Sequence, residues 1–415
     1  MSDDLLPVDR VRERILADVE PILPIQLPLT EAYGCVLAED LDAPFDLPTF
    51  ASSAMDGVAV RAADVRGASP DRPVDLPIVG RALIGRRSEA PVGAGEAVRI
   101  ATGAPIPQGA DAIVPIEECE VSSDEDGPGS VRVLADPGVG RHIRPAGEDL
   151  RRGDPLVPKG RRLLGPDLAL LASAGVSHPL VHPRPRVVVL STGDELVPPG
   201  QDPEYGQVRD SNAYQLYASL REAGAVPVMA GIVPDDVEEL RDRVLSLVGQ
   251  ADAFVSSGGV SVGERDVVKA AFFQRGDVDF YRVAMQPGKP QGFGHIEGKP
   301  YFGLPGNPVS VFVSFEVFLR PAVLRMAGRT DLFRPEVTAR LDAAVGGAEQ
   351  RTVFARVVVR RVEAGAFVAT PVGGRGSNLV SSASRANGLA IVPAGTGTAS
   401  AGDRVRVMLF RSTGE

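Results

Sequence analysis

The sequence predicts a multidomain α/β-plus-β protein: an α/β domain with a parallel sheet, a β-rich insertion, a small N-terminal domain and a C-terminal β-barrel. Three observations carry this. Between residues 184 and 328, short apolar runs alternate with helix-length amphipathic segments, the pattern of strand–helix–strand crossovers. At 46–141, and again after Gly328, the apolar runs are short and separated by turn residues, without helical periodicity. The 415 residues also exceed what one core supports, since a domain takes roughly 150 residues.

Taken in order, residues 8–19 place Val11, Ile15 and Val19 on one face of a helix that breaks at Pro21 and Pro24. A second helical piece is expected over 29–37, with Thr30 as its N-cap. The β-rich region offers strands at 74–79, 97–100, 112–115 and 131–134, with acidic turn material at 122–129. Residues 142–183 return to turns around a short apolar helix, 166–174, stopped by Gly175.

The α/β region opens on a buried-type strand, 186–190. Helix 213–223 ends at Gly224, and strand 226–232 follows. Helix 236–248, capped by Asp236, leads to strand 253–256. Strand 301–304 and helix 309–327 close the region, with Pro308 suited to a first turn. Beyond it only strands are expected: 337–341, 353–361, 367–370, 388–392 and 404–408.

Composition narrows the function. A net charge of −10 argues against nucleic acid, which needs a basic face to displace counterions. Two cysteines, Cys35 and Cys119, and four histidines show neither a disulfide framework nor metal-ligand spacing. There is no basic leader and no apolar run of membrane-spanning length, so the expectation is no membrane partner and a cytoplasmic location.

The candidate chemistry sits on loops. Ser-Ser-Gly-Gly-Val-Ser-Val-Gly-Glu-Arg-Asp, 256–266, follows a buried strand. Gly258 and Gly259 let backbone N–H groups converge on an oxyanion, Ser257 and Ser261 add hydroxyls, and Asp266 suits a cation or ligand hydroxyl. Pro305, Gly306, Asn307 and Ser310 form a second strand-to-helix loop, a seat for an anion at a helix amino end. Asp194 and Glu195 end the first strand and Asp235 the next. Carboxylates beside an anion site make sense if Mg²⁺ bridges them. Lys289 is presented by a tight turn and is one of only four lysines among 44 basic residues. Each loop alone also has a plain reading: a flexible Gly/Ser loop, a capped helix start, a solvated acidic pair. Asp56-Gly57 and Thr102-Gly103 read as ordinary turns. Arg141, Arg144, Glu148 and Asp149 read either as an ion-pair network or as an anion clamp beside a metal-facing acid.

Seven motifs occur in order: Ser-Ala-Met-Asp-Gly, Thr-Gly-Ala-Pro, Gly-Glu-Asp, Thr-Gly-Asp-Glu-Leu, Ser-Ser-Gly-Gly-Val-Ser-Val-Gly, Pro-Gly-Lys-Pro and Pro-Gly-Asn-Pro-Val-Ser. Together, over residues 8–410, the chain resembles the MoeA-type molybdopterin molybdenumtransferases, a family that includes the E domain of gephyrin. The resemblance implies insertion of molybdate into adenylylated molybdopterin, with Mg²⁺-dependent release of AMP. It implies a homodimer with the active site between subunits and transient contact with other molybdenum cofactor biosynthesis proteins. The domains implied are a linker or dimerisation domain (1–45 with 142–183), the β insertion (46–141), the molybdopterin-binding domain (184–328) and the barrel (329–415).

Matched motif to motif, Asp56, Thr102, Arg144 and Asp149 would come from one subunit. Glu195, Asp235, Asp266 and the Arg282–Lys289 region would come from the other, with Glu195, Asp235 and Asp266 as metal ligands. Asp56, Thr102, Asp149, Glu195 and Asp235 would be catalytic, and Arg356 and Ser377 match further functional positions. Arg282 and Gln286 stand where many members carry lysine. Two other activities fit parts of the pattern: adenylylation of molybdopterin, for which the α/β domain alone would suffice, and a non-catalytic scaffold.

Overall fold

A computed structural model describes residues 5–86, 90–122, 129–260, 267–272, 278–362, 365–374 and 376–412. The chain divides into two compact units, Met1–Glu39 with Lys159–Leu164 and His178–Glu415, and Asp40–Pro158 with Gly165–Ser177. The fold is the expected mixture of α/β and β architecture.

In the second unit a six-stranded sheet runs in the order Ala112–Pro115, Gly57–Val60, Ala97–Ile100, Val74–Ala82, Ser130–Val133, Cys119–Ser122. Its apolar residues fall into two clusters, one holding Val58, Val60 and Val114, the other Ala59, Val98 and Ile113. Alternate residues of one strand thus enter different clusters, as the period of two requires. Gly57 opens a strand rather than an ordinary turn. A Cβ there would lie 2.0 Å from the Val114 carbonyl oxygen, so no larger residue fits. Of the acidic turn at 122–129, residues 123–128 lie outside the described residues.

In the first unit the central sheet has the order Val226–Val233, Arg186–Thr192, Ala253–Ser257, Lys299–Leu304, Pro290–Ile296, Val278–Arg282. The first four strands are parallel. The last two pair antiparallel and extend the parallel sheet that the alternating pattern predicts. Pro290–Ile296 carries Gly292 and Gly294, which interrupt the apolar run that would announce a strand. A Cβ on Gly292 would lie 3.2 Å from the Phe280 ring and 3.4 Å from the Gly303 Cα, a close fit. The chain starts in Arg186–Thr192, adds Val226–Val233 on one side, then crosses back to Ala253–Ser257 on the other. That reversal opens a crevice at the carboxyl ends of the strands.

Helix Val8–Asp18 buries Val8, Val11 and Ile15 in a core shared with Val283, Phe315 and Phe318. The helix expected over 29–37 is one turn, Leu29–Ala32, with Pro28 rather than Thr30 at the cap. Gly34 at φ 79° ends it, and Val36–Leu37 joins a three-stranded sheet with Leu180–His182 and Ile25–Gln26. The long helix after Asn307 is interrupted by a π-helical turn at Phe315–Leu319. There the buried Glu316 accepts two hydrogen bonds from Arg334, at 2.9 and 3.0 Å. Removing Arg334 would leave the Glu316 carboxylate with only Arg320, at 4.0 Å, to offset it.

Five C-terminal strands close a barrel, in the order Thr352–Arg361, Phe367–Pro371, Glu336–Leu341, Arg404–Leu409, Gly388–Val392 and back to the first. The region is not made of strands only, since a short helix, Val380–Arg385, lies among them. Met285–Gln286 adds in parallel to Thr352–Arg361, fastening the barrel to the α/β domain.

Candidate active site

Registers Thr192↔Val233, Ser191↔Ser257 and Ser257↔Leu304 place the four parallel strands' carboxyl ends at one edge. The loops that follow therefore surround one cavity of about 760 Å³, whose wall includes Glu195, Asp235, Gly258, Gly259, Asn307 and Ser310.

The acids are held by the chain itself. Asp194 Oδ1 accepts the Asp235 N–H at 3.0 Å, tying the first strand's loop to the second's. Glu195 folds back over Gly193, where a Cβ would lie 2.4 Å from Oε2. Asp236 caps the helix Val237–Leu247, accepting from the Glu239 N–H at 2.8 Å, which leaves Asp235 to face the cavity. Partial burial, then the negative charges of Asp194 and Glu195, raise the Asp235 carboxyl above its ordinary pKa. A bound cation removes that repulsion, so the donor set suits a hard divalent ion. Among the described residues no group of three or more His, Cys, Asp or Glu could hold a metal. The third acid expected, Asp266, lies outside them, as does Ser261.

Gly258 and Gly259 adopt φ 93° and 66°, the left-handed region. A Cβ on Gly258 would come 2.7 Å from the Thr192 carbonyl oxygen, and one on Gly259 2.4 Å from Val268 Cγ2. The turn presents bare backbone to the cavity. Ser257, expected as a hydroxyl donor to an anion, is 2% exposed and lies 3.3 Å from the Ser191 hydroxyl. That contact is internal to the sheet.

The Pro-Gly-Asn-Pro loop is braced by the first turn of helix Asn212–Glu222. Asn212 Nδ2 donates to the Gly306 carbonyl at 2.7 Å and Gln215 Nε2 to that of Pro308 at 3.1 Å. From the C-terminal domain, the Ser377 carbonyl accepts the Val309 N–H at 3.0 Å, and Asn378 joins the cavity wall. The wall residues Thr192, Asp210, Asn212 and Asn378 were not singled out from the sequence. Only Thr192 lies within a motif, and its side chain carries no signal apart from its place at a strand end.

A second cavity, of about 260 Å³, involves Gln286, Pro287, Arg356, Gly373 and Gly374. Arg356 is 5% exposed, donates through Nε to Ser382 Oγ at 3.0 Å and also hydrogen-bonds the Gly374 carbonyl. Burial pulls its pKa down. Lys289 and Arg282 belong to the strand-and-turn segment leading there: the Lys289 carbonyl accepts the Val283 N–H, and the Arg282 carbonyl that of Leu6.

In the second compact unit, two residues read as separate turns come together: the Thr102 N–H donates to Asp56 Oδ1 at 2.9 Å. Ser52 pairs with Arg144 in a two-stranded ribbon, and the Asp149 N–H donates to the Leu47 carbonyl at 3.0 Å. Asp56, Arg144 and Asp149 are exposed.

Family models match along the chain: the MoeA N-terminal region (domain I and II) at residues 6–175, a probable molybdopterin binding domain at 188–325, and the MoeA C-terminal region (domain IV) at 338–410. The chain is 40% identical over 402 residues to molybdopterin molybdenumtransferase 2 of Mycobacterium tuberculosis, covering 95% of this chain and 97% of that one. It is 34% identical to the molybdopterin molybdenumtransferase of Haemophilus influenzae, over 98% and 99%. A solved structure of a molybdopterin biosynthesis MoeA protein from Pyrococcus horikoshii superposes with a TM-score of 0.79 at 32% identity, covering 99% of this chain and 100% of that one.

Proposed function

The chain belongs to the MoeA family of molybdopterin molybdenumtransferases, and from that premise we propose that its strand-edge cavity seats adenylylated molybdopterin for molybdate insertion and AMP release. Membership makes it a transferase of molybdenum cofactor biosynthesis. The observation that carries the assignment to this cavity is the convergence of two carboxylates and two bare-backbone loops at one sheet edge.

Each part has a task in that reading. The Gly258–Gly259 turn brings backbone close to a phosphate, where a side chain would keep it away. Asn307 and Ser310 line the opposite loop, whose backbone is fixed by Asn212 and Gln215. A seat held this rigidly needs no rearrangement as charge develops on the phosphoanhydride. Glu195 and Asp235, with Asp266 as the third acid expected from the sequence, would hold Mg²⁺. When bound, that ion neutralises the acids and polarises the phosphoanhydride. Asp194 keeps Asp235 in place through the backbone hydrogen bond.

Asp56, Thr102, Arg144 and Asp149 lie in the other compact unit, and in this proposal a second copy in a homodimer supplies them. Asp56, its carboxylate oriented by the Thr102 N–H, is then the acid presented to the molybdate end of the substrate. Arg356, Ser377, Arg282 and Lys289 are further substrate contacts in the same reading. We place the reaction in the cytoplasm, with transient hand-over to other molybdenum cofactor biosynthesis proteins. Among the described residues no helix is long and apolar enough to cross a membrane.

The test is direct. Purified protein given adenylylated molybdopterin, Mg²⁺ and molybdate is expected to yield molybdenum cofactor and AMP together. Turnover without AMP release, or unchanged turnover in Asp56→Asn, would refute the reaction or the role of Asp56.

A further inference from the structure

Two buried polar atoms in residues lining the strand-edge cavity have no hydrogen-bond partner among the described residues: Asn212 Oδ1 and Thr192 Oγ1. Three polar neighbours are engaged. Ser191 meets Ser257 at 3.3 Å, Ser256 meets Tyr301 at 2.6 Å, and Asp210 accepts the Ala213 N–H at 3.1 Å. A buried polar atom left unpaired is unfavourable, and native chains satisfy nearly all of them. Two orphans in the wall of one cavity point to a ligand that completes them. Thr192 is only 4% exposed, so its hydroxyl is not simply a solvated group.

The two atoms differ in what they specify. A hydroxyl can donate or accept, so Thr192 does not define its partner. Asn212 does. Its Nδ2 is committed to the Gly306 carbonyl at 2.7 Å, which fixes the orientation of the amide and leaves Oδ1 as an acceptor. An acceptor repels phosphate and carboxylate oxygens, so Asn212 is not part of the anion seat.

We propose that Asn212 is a specificity-determining residue, whose Oδ1 accepts an N–H of the amino-bearing heterocycle at one end of the cavity's ligand. This rests on the reading that the cavity holds an adenylylated pterin, a molecule with two such rings. Both adenine and the pterin pyrimidine carry an exocyclic amine, so the shared chemistry is an aromatic amino group. The same residue couples the two ends of the site: one amide braces the phosphate-side loop with its donor and reads the ring with its acceptor.

The experiment compares ligand pairs by calorimetric titration in Mg²⁺, on wild type, Asn212→Ala and Gln215→Leu. One pair is AMP against purine riboside 5′-monophosphate, which lacks the amine. The other is pterin against lumazine, in which oxygen replaces the 2-amino group. Pyrophosphate serves as the probe without a ring. In wild type one pair is expected to show a preference for the amine on the order of tenfold, and that pair identifies the ring. Asn212→Ala is expected to abolish the preference while pyrophosphate affinity stays within about twofold. Gln215→Leu removes the companion brace, so it is expected to weaken all probes alike and keep the preference.

Wild type with no preference in either pair would overturn the proposal, and that half needs no variant to fold. An Asn212→Ala variant that keeps the preference, or loses pyrophosphate as strongly as AMP, would reduce Asn212 to a brace. Failure of wild type to bind AMP or pyrophosphate at all would instead refute the site reading on which the proposal stands.

Discussion

The two cavities of the larger unit differ in their charged groups: Glu195, Arg209, Asp210 and Asp235 border one, and Arg356 borders the other. The strand-edge cavity has Glu195 and Asp235 in its wall, and partial burial, then the charges of Asp194 and Glu195, hold the Asp235 carboxyl above its ordinary pKa. The smaller one contains Arg356, a buried guanidinium hydrogen-bonded to neutral oxygens. In the proposed function a cation would complete the first and an anion the second. Gln286, where the resemblance leads one to expect lysine, has a compensating cation nearby. It borders the cavity that already holds a buried arginine, not the one with the carboxylates.

The largest expected effect breaks the acidic side of this comparison. Glu195→Gln or Asp235→Asn should lower molybdenum insertion on the order of 100-fold in a timed cofactor assay, with the circular dichroism spectrum unchanged. Next, Gly258→Ala places a methyl 2.7 Å from the Thr192 carbonyl at φ 93°. Strain there should cost about 1–3 kcal/mol in denaturant unfolding, with loss of AMP binding. Arg356→Met retains volume but removes the donor to Ser382 Oγ and the Gly374 carbonyl. It should cost about 2 kcal/mol of stability, and oxyanions that raise the wild-type melting temperature should no longer do so.

The smallest effect is in pH. The folded-state pKa of Asp235 is raised, so the native chain binds more protons than the unfolded one across the window just above the ordinary carboxylate range. Its contribution to stability is present below the unfolded pKa and lost as pH rises through the folded one. Melting temperature without Mg²⁺ should therefore carry a downward component through that window. Asp194→Asn, which keeps an acceptor for the Asp235 N–H but removes the charge, should flatten it.

Much of this was legible in the sequence because it is local. Asp236 capping a helix, the Gly-Gly turn after a buried strand and Pro308 at a helix start each follow from neighbours within four residues. What was not legible is what distance in sequence conceals. Asp56 and Thr102 read as two ordinary turns because their hydrogen bond spans 46 positions. Pro290–Ile296 is not among the strands expected from the sequence because Gly292 and Gly294 interrupt its apolar run. Asn212 is an unremarked helix residue until Gly306 engages one end of its amide and the other end is left bare.

We propose that the strand-edge cavity binds the phosphate end of the substrate together with a divalent cation. Titrating pyrophosphate into wild type and Glu195→Gln, with and without Mg²⁺, tests it most directly. Tight binding is expected only in wild type with Mg²⁺, and weak binding in the other three conditions. Equal affinity in all four would contradict it.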